Sequence, residues 1–265
     1  MCDAIVKKFP IWLPPNVITL MGFSFNVFPH LLMIALYGNH MEGYVDSWMC
    51  VLLGVSYFLF TTLDNCDGKQ ARRTGSGSPM GMLFDHGLDA TTAILVMYPL
   101  GWIHQVGPGL PTLILVMLST IPFYYFTLQE FYMGRTILAA FSGPDDTSVC
   151  ISLICFITAY FGSLETWGRD VDFLGFGERR LGIVLLMGVF CYEIIFSMFS
   201  FVSEIYHGRN CETFQKRYRL GSFLANISYM ILNCSIYLAY TQLPASTVLL
   251  EYPKLTTLAF GGQYL

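Results

Sequence analysis

The sequence predicts an all-α fold: a polytopic integral membrane helical bundle with about seven complete spans and the start of an eighth. Three observations carry that reading. Hydrophobic residues make up 54% of the 265-residue chain and charged residues only 12%, against roughly 25% charged in an ordinary soluble domain. The mean hydropathy is +0.55. Long apolar runs recur along the chain, each near the ~20 residues that a helix needs to cross a ~30 Å hydrocarbon core.

Residues 1–16 form a short polar and aromatic lead that ends Trp12-Leu13-Pro14-Pro15-Asn16. Two prolines stop any helix arriving from upstream, which leaves Asn16 to open the next one as an N-cap. The first span is expected over 17–37, with Asn26 and His30 four residues apart and therefore turned together toward other helices. A polar loop leads to a second span over 47–63. The turn Thr74-Gly75-Ser76-Gly77-Ser78-Pro79 then gives way to a third helix that Gly81 opens and that runs to about residue 103.

A fourth span is expected over 111–129 and a fifth over 147–164, separated by a segment containing Gly143-Pro144-Asp145-Asp146. The most polar loop of the chain, 165–180, precedes a sixth helix over 181–203 with Glu193 inside it. A basic loop at 207–221 leads to a seventh span near 222–240. Tyr252-Pro253-Lys254 reads as the approach to an eighth span that has too few residues left to complete it, so the chain is expected to be shorter than a complete protein of its kind. No repeat or internal boundary divides residues 1–265, which read as one domain.

The remaining bulk features narrow little. A net charge of −4 without a basic stripe gives no sign of nucleic-acid binding. The eight cysteines include no Cys-x-x-Cys pair and mostly fall in apolar runs, as buried reduced thiols do. Lys7 and Lys8 are not followed by an apolar core and cleavage site, so the first span is expected to serve as its own insertion signal.

Between the second and third apolar runs lies a different chemistry. Asp64, Asp67, Asp85 and Asp89 come within one short region, together with His86, Arg72 and Arg73. On helices, Asp64 and Asp67 share a face, as do Asp85 and Asp89. Four unpaired carboxylates beside a bilayer would cost about 2.5–3.5 kcal/mol each on an insertion scale, and they repel one another as well. A divalent cation is the economical counter-charge, because hard oxygen ligands suit Mg²⁺, Mn²⁺ or Ca²⁺.

The spacing is Asp-x2-Asp-Gly-x2-Ala-Arg-x8-Gly-x3-Asp-x3-Asp, filled by Asp64, Asp67, Gly68, Ala71, Arg72, Gly81, Asp85 and Asp89. This pattern resembles the signature of the CDP-alcohol phosphotransferase family, with every fixed position occupied. The words Asp-Asn-Cys-Asp-Gly-Lys-Gln-Ala-Arg-Arg and Phe-Asp-His-Gly-Leu-Asp are similar to its eukaryotic choline/ethanolamine phosphotransferase branch. The resemblance implies transfer of phosphoethanolamine or phosphocholine from CDP-ethanolamine or CDP-choline to diacylglycerol, with release of CMP. It implies two Mg²⁺ or Mn²⁺ ions on Asp64, Asp67, Asp85 and Asp89, and it places Asn16, within Pro-Asn-x-Ile-Thr, near the nucleotide. A homodimer would also suit the family.

For a diphosphate substrate, the other motif residues acquire roles. Gly68 removes a side chain so that a phosphate or base can approach the backbone, Ala71 keeps that surface low, and Arg72 offers a guanidinium to diphosphate oxygens. Gly81 lets the third helix pack close to the second. The acceptor hydroxyl needs a base. His86 has a suitable intrinsic pKa and stands in the resembled branch; Asp89, assigned that role across the wider family, competes with it.

Counting Lys and Arg over seven spans puts ten on the side of the motif and four on the other, so the motif is expected to face the cytosol from an endoplasmic reticulum or Golgi membrane. Three alternatives stay open: a CDP-diacylglycerol donor with a polar alcohol acceptor, a divalent-cation transporter, and a truncated non-catalytic relative. Gly68, Ala71, Arg72 and Gly81 have no obvious job in a cation path.

Overall fold

The computed structural model describes residues 2–38, 43–107, 110–133, 144–172, 178–207, 227–229, 231–232 and 234–235. The chain is mostly helical. A short helix α1 (Cys2–Val6) precedes α2 (Pro15–Tyr37), α3 (Ser47–Thr74), α4 (Pro79–Leu95), α5 (Met97–Ile103) and α6 (Leu110–Met133). Then come α7 (Pro144–Phe161), α8 (Ser163–Trp167), strands β1 (Asp170–Asp172) and β2 (Glu178–Arg180), and α9 (Leu181–His207).

Each boundary has a local cause. Pro15 occupies the first turn of α2, where its missing N–H costs nothing, and Pro14 is the N-cap. The expectation of an Asn16 cap is therefore corrected: the proline starts the helix two residues earlier, and Asn16 lies inside its first turn. Likewise α4 starts at Pro79, not at Gly81, because the Ser78 hydroxyl caps it by accepting from the Gly81 N–H at 3.0 Å. The third helix is not continuous to residue 103 either. Pro99 has no N–H to offer the Leu95 carbonyl, and the helix breaks at Val96.

The second span and the acidic stretch form one uninterrupted helix of 28 residues, about 42 Å long at 1.5 Å per residue. It ends where Gly75 takes a left-handed conformation (φ +65°) and donates its N–H to the Ala71 carbonyl. The polar loop 165–180 takes in the end of α8 and, against an all-α expectation, a two-stranded antiparallel pair in which Asp170 lies opposite Arg180.

α3 is the central element, packed against α2 on one side and α7 on the other. Two glycines allow this. A Cβ on Gly22 of α2 would lie 3.3 Å from the Leu63 Cβ, and one on Gly54 of α3 would lie 3.1 Å from the Ser152 carbonyl oxygen of α7. Met33, Met49, Cys50, Tyr98, Ile103 and Leu115 belong to the core formed there. Asn26 and His30 turn inward as expected, both buried, with the His30 ring edge-on to Tyr98 at 5.4 Å.

Among the described residues, α2 and α3 are long and apolar enough to cross a membrane. Leu20, Phe28 and Leu31 of α2 project outward as exposed apolar side chains. Helices also occupy the fourth, fifth and sixth expected spans, and the described residues between 227 and 235 are helical. The expected eighth span, Arg135, residues 208–221 and the side chains of Glu130, Asp145, Asp146 and Glu193 lie outside the described ones. Cysteines are reduced among the described residues, but fewer are buried than expected: Cys50, Cys66 and Cys155 are, whereas Cys150, Cys191 and Cys234 are exposed on helix surfaces.

Candidate active site

The last three turns of α3 present two faces with separate work. On one face, Gln70 is fully buried and donates from Nε2 to the carbonyls of Pro10 (3.0 Å) and Leu13 (3.2 Å). Arg73 donates from Nη1 to the carbonyls of Val6 (2.6 Å) and Phe9 (2.8 Å). Lys69 pairs with Asp3 at 2.8 Å, and the ammonium hydrogen-bonded to it holds the Asp3 carboxyl below its ordinary value of 3.8. These contacts strap residues 2–13 along α3 and so deliver Pro15 and Asn16 to the other face.

That other face carries Asp64, Asp67, Gly68, Ala71 and Arg72. It borders a cavity of about 490 Å³, within the roughly 300–1,000 Å³ of small-molecule sites. α2 contributes Asn16 and Thr19 to the wall, α4 contributes Gly81 and Asp85, and the turn 75–78 closes one end. A Cβ on Gly68 would meet nothing nearer than the Arg72 guanidinium, at 3.7 Å, so the space over Gly68 is open. Gly81 does not serve the contact expected of it, between the third helix and the second. Its Cβ would lie 3.3 Å from the Asn16 Oδ1, so this glycine accommodates α2.

Asp64, Asp67 and Asp85 each bring one carboxylate oxygen to within 4.8 Å of the others. Asp67 is buried; Asp64 and Asp85 are half-buried. Three hard oxygen donors converging in this way fit a divalent cation such as Mg²⁺ or Mn²⁺. Asp89, half-buried one turn beyond Asp85, interacts electrostatically with Asp85 and Asp64 but is not one of the three converging carboxylates. His86 is half-buried on α4 and does not line the cavity.

Sequence reasoning missed Thr19, Gln70 and Arg73 as contributors. Thr19 donates its hydroxyl to Asp67 Oδ2 at 2.5 Å. The signal for Thr19 was its place three residues after Asn16, which puts both on one helical face. For Gln70 and Arg73 it was the same three-residue spacing on the opposite face of α3.

Comparison with known proteins bears on the whole of this region. Residues 12–192 match the CDP-alcohol phosphatidyltransferase family. Choline/ethanolaminephosphotransferase 1 of Arabidopsis thaliana is 39% identical over 166 residues, which are 63% of this chain and 42% of that protein. Ethanolaminephosphotransferase 1 of Mus musculus is 34% identical over 207 residues, 75% of this chain and 52% of that protein. Cholinephosphotransferase 1 of Xenopus laevis is 29% identical over 269 residues, covering 97% of this chain and 62% of that protein. The chain thus spans about half the length of the curated relatives it matches. Because the matched region takes in every motif carboxylate and both flanking helices, the chain belongs to the CDP-alcohol phosphatidyltransferase family.

Proposed function

We propose that this protein transfers phosphoethanolamine or phosphocholine from the CDP ester to diacylglycerol and releases CMP. The observation that carries the reading is the convergence of Asp64, Asp67 and Asp85 beside a cavity whose floor is opened by Gly68 and whose rim holds Arg72. A soluble nucleotide and a two-tailed alcohol must meet, and a site at the end of an apolar helix serves both. The names of the relatives point to the same phosphobase chemistry.

In this reading Asp64, Asp67 and Asp85 would hold Mg²⁺ or Mn²⁺, two ions in all, with Asp89 beside them. When bound, such ions supply the positive charge that neutralises a diphosphate and stabilises the departing phosphate. Asn16 holds the nucleotide and Arg72 aligns the diphosphate oxygens. The acceptor hydroxyl loses its proton to His86, with Asp89 as the competing base, as its oxygen bonds to the phosphorus that carries the alcohol. The bond to the bridging oxygen breaks, and that oxygen leaves with CMP. The protein acts as an integral membrane enzyme of about seven spans, the site on the cytosolic side of the endoplasmic reticulum or Golgi, alone or as a homodimer.

The test is a radiolabel assay of this chain in microsomes lacking other phosphotransferases. CDP-ethanolamine or CDP-choline turnover, dependent on diacylglycerol and on Mg²⁺ or Mn²⁺, is expected. Turnover of CDP-diacylglycerol with a polar alcohol, without turnover of either CDP ester, would replace the reading.

A further inference from the structure

Thr19 lies on α2 and Asp67 on α3, 48 positions apart in the chain, and both are buried, at 3% and 5% exposure. The Thr19 hydroxyl is 2.5 Å from Asp67 Oδ2 and 3.3 Å from the Pro15 carbonyl of its own preceding turn. A hydroxyl has a single proton to donate, and the shorter contact, to a carboxylate, is the stronger one. Asp67 therefore has one oxygen fixed from outside its own helix. A carboxylate held at one oxygen cannot turn freely about its last side-chain bond, so its plane is set relative to Asp64 and Asp85, whose oxygens lie within 4.8 Å.

We propose that Thr19 is a positioning residue for the cation site: its hydroxyl orients the Asp67 carboxylate and ties the helix that carries Asn16 to the carboxylate trio. The inference rests on the reading that the trio holds a divalent cation. Its physical basis is general, because partners that hydrogen-bond a ligating carboxylate fix its direction, and losing them typically weakens metal binding about 10- to 100-fold. Neighbouring contacts on α2 do not replace it: Asn16 faces Gly81, and Ser24 donates to the Leu20 carbonyl at 2.8 Å.

The experiment is Mn²⁺ titration of the purified full chain in detergent, with free Mn²⁺ read by electron paramagnetic resonance. Wild type, Thr19→Ser, Thr19→Val and Asp67→Asn are compared, with helix content checked by circular dichroism. Thr19→Val keeps the shape and loses the hydroxyl; it should bind Mn²⁺ about 10-fold or more weakly, while Thr19→Ser stays close to wild type. Should Thr19→Val not fold, Thr19→Ala carries the same comparison against Thr19→Ser. Equal affinity in wild type and the variant without a hydroxyl would overturn the role of Thr19 and leave the cation reading standing. Loss of affinity in Thr19→Ser as large as in Thr19→Val would also overturn it, because a retained hydroxyl would then not preserve the site. A wild type that takes up no more Mn²⁺ than Asp67→Asn would remove the cation reading, and the Thr19 role with it.

Discussion

The Asn16 amide oxygen lies 3.3 Å from the point where a Cβ on Gly81 would sit, so the N-terminal end of α2 rests directly on the backbone of α4. Neither partner can change size without moving the other. Gly81→Ala should therefore displace Asn16 by a few tenths of an ångström, with a loss of activity. Since misplacement by ~1 Å can cost about 100-fold, about 10-fold is expected here. Alanine is the better helix former by about 1 kcal/mol, so the melting temperature should not fall in step with the rate. A parallel loss of both would show that Gly81 serves stability alone.

The carboxylate trio makes the sharpest demand. Asp64→Asn, Asp67→Asn and Asp85→Asn should each abolish turnover while the protein still inserts, since an amide keeps the size and loses the charge. Chelation should stop the wild type, and Mg²⁺ or Mn²⁺ should restore it. Activity that survives exhaustive chelation would separate the trio from the reaction.

His86 and Asp89 compete for one role. His86→Ala should reduce the rate by about 10²–10⁴-fold, the usual contribution of a general base, and leave Mn²⁺ binding intact. If His86→Ala is fully active and Asp89→Asn is dead, the base role moves to Asp89.

Two consecutive arginines should behave differently. Arg72 borders the cavity, so Arg72→Ala should raise KM for the CDP ester and leave stability alone. Arg73 holds the Val6 and Phe9 carbonyls, so Arg73→Ala should cost about 1 kcal/mol of stability and expose residues 2–13 to protease. Double-digit loss of affinity for the nucleotide in Arg73→Ala alone would invert the assignment.

The strap also has a pH signature. The Asp3 carboxyl is held below 3.8 by the Lys69 ammonium, so its contribution is present above that value and is lost as pH falls through the lowered one. Protease protection of residues 2–13 should be flat across neutral pH and weaken only in strong acid. A change centred near neutrality would assign the strap to another group.

Much of the site was legible because its information is local. Asp64 with Asp67 and Asp85 with Asp89 are helical neighbours, and fixed spacing on two consecutive helices shows as a pattern in the chain. The Thr19 to Asp67 contact was not legible, since no spacing rule links residues 48 positions apart. Asn16 was misread as a cap because Pro15 competes for the same turn, and a proline's preference for the first helical position wins. The break at Val96 had a visible cause in Pro99, outweighed in the sequence reading by the apolar run around it. The antiparallel pair of strands at 170–172 and 178–180 escaped because strands of three residues carry too little alternation to register.

The unbroken course of α3 from Ser47 to Thr74 bears on how the proposed lipid acceptor and water-soluble donor would meet. A ~30 Å hydrocarbon slab would swallow about 20 residues of such a rod and leave its final two turns standing in water. The height of Asp64 and Asp67 at the edge of the lipid is then set by counting residues along one stiff strut, with no hinge to adjust it. Insertion of a full helical turn near Leu53 would shift Asp64 and Asp67 by about 5.4 Å along the helix axis and, under the proposed function, part them from the diacylglycerol acceptor.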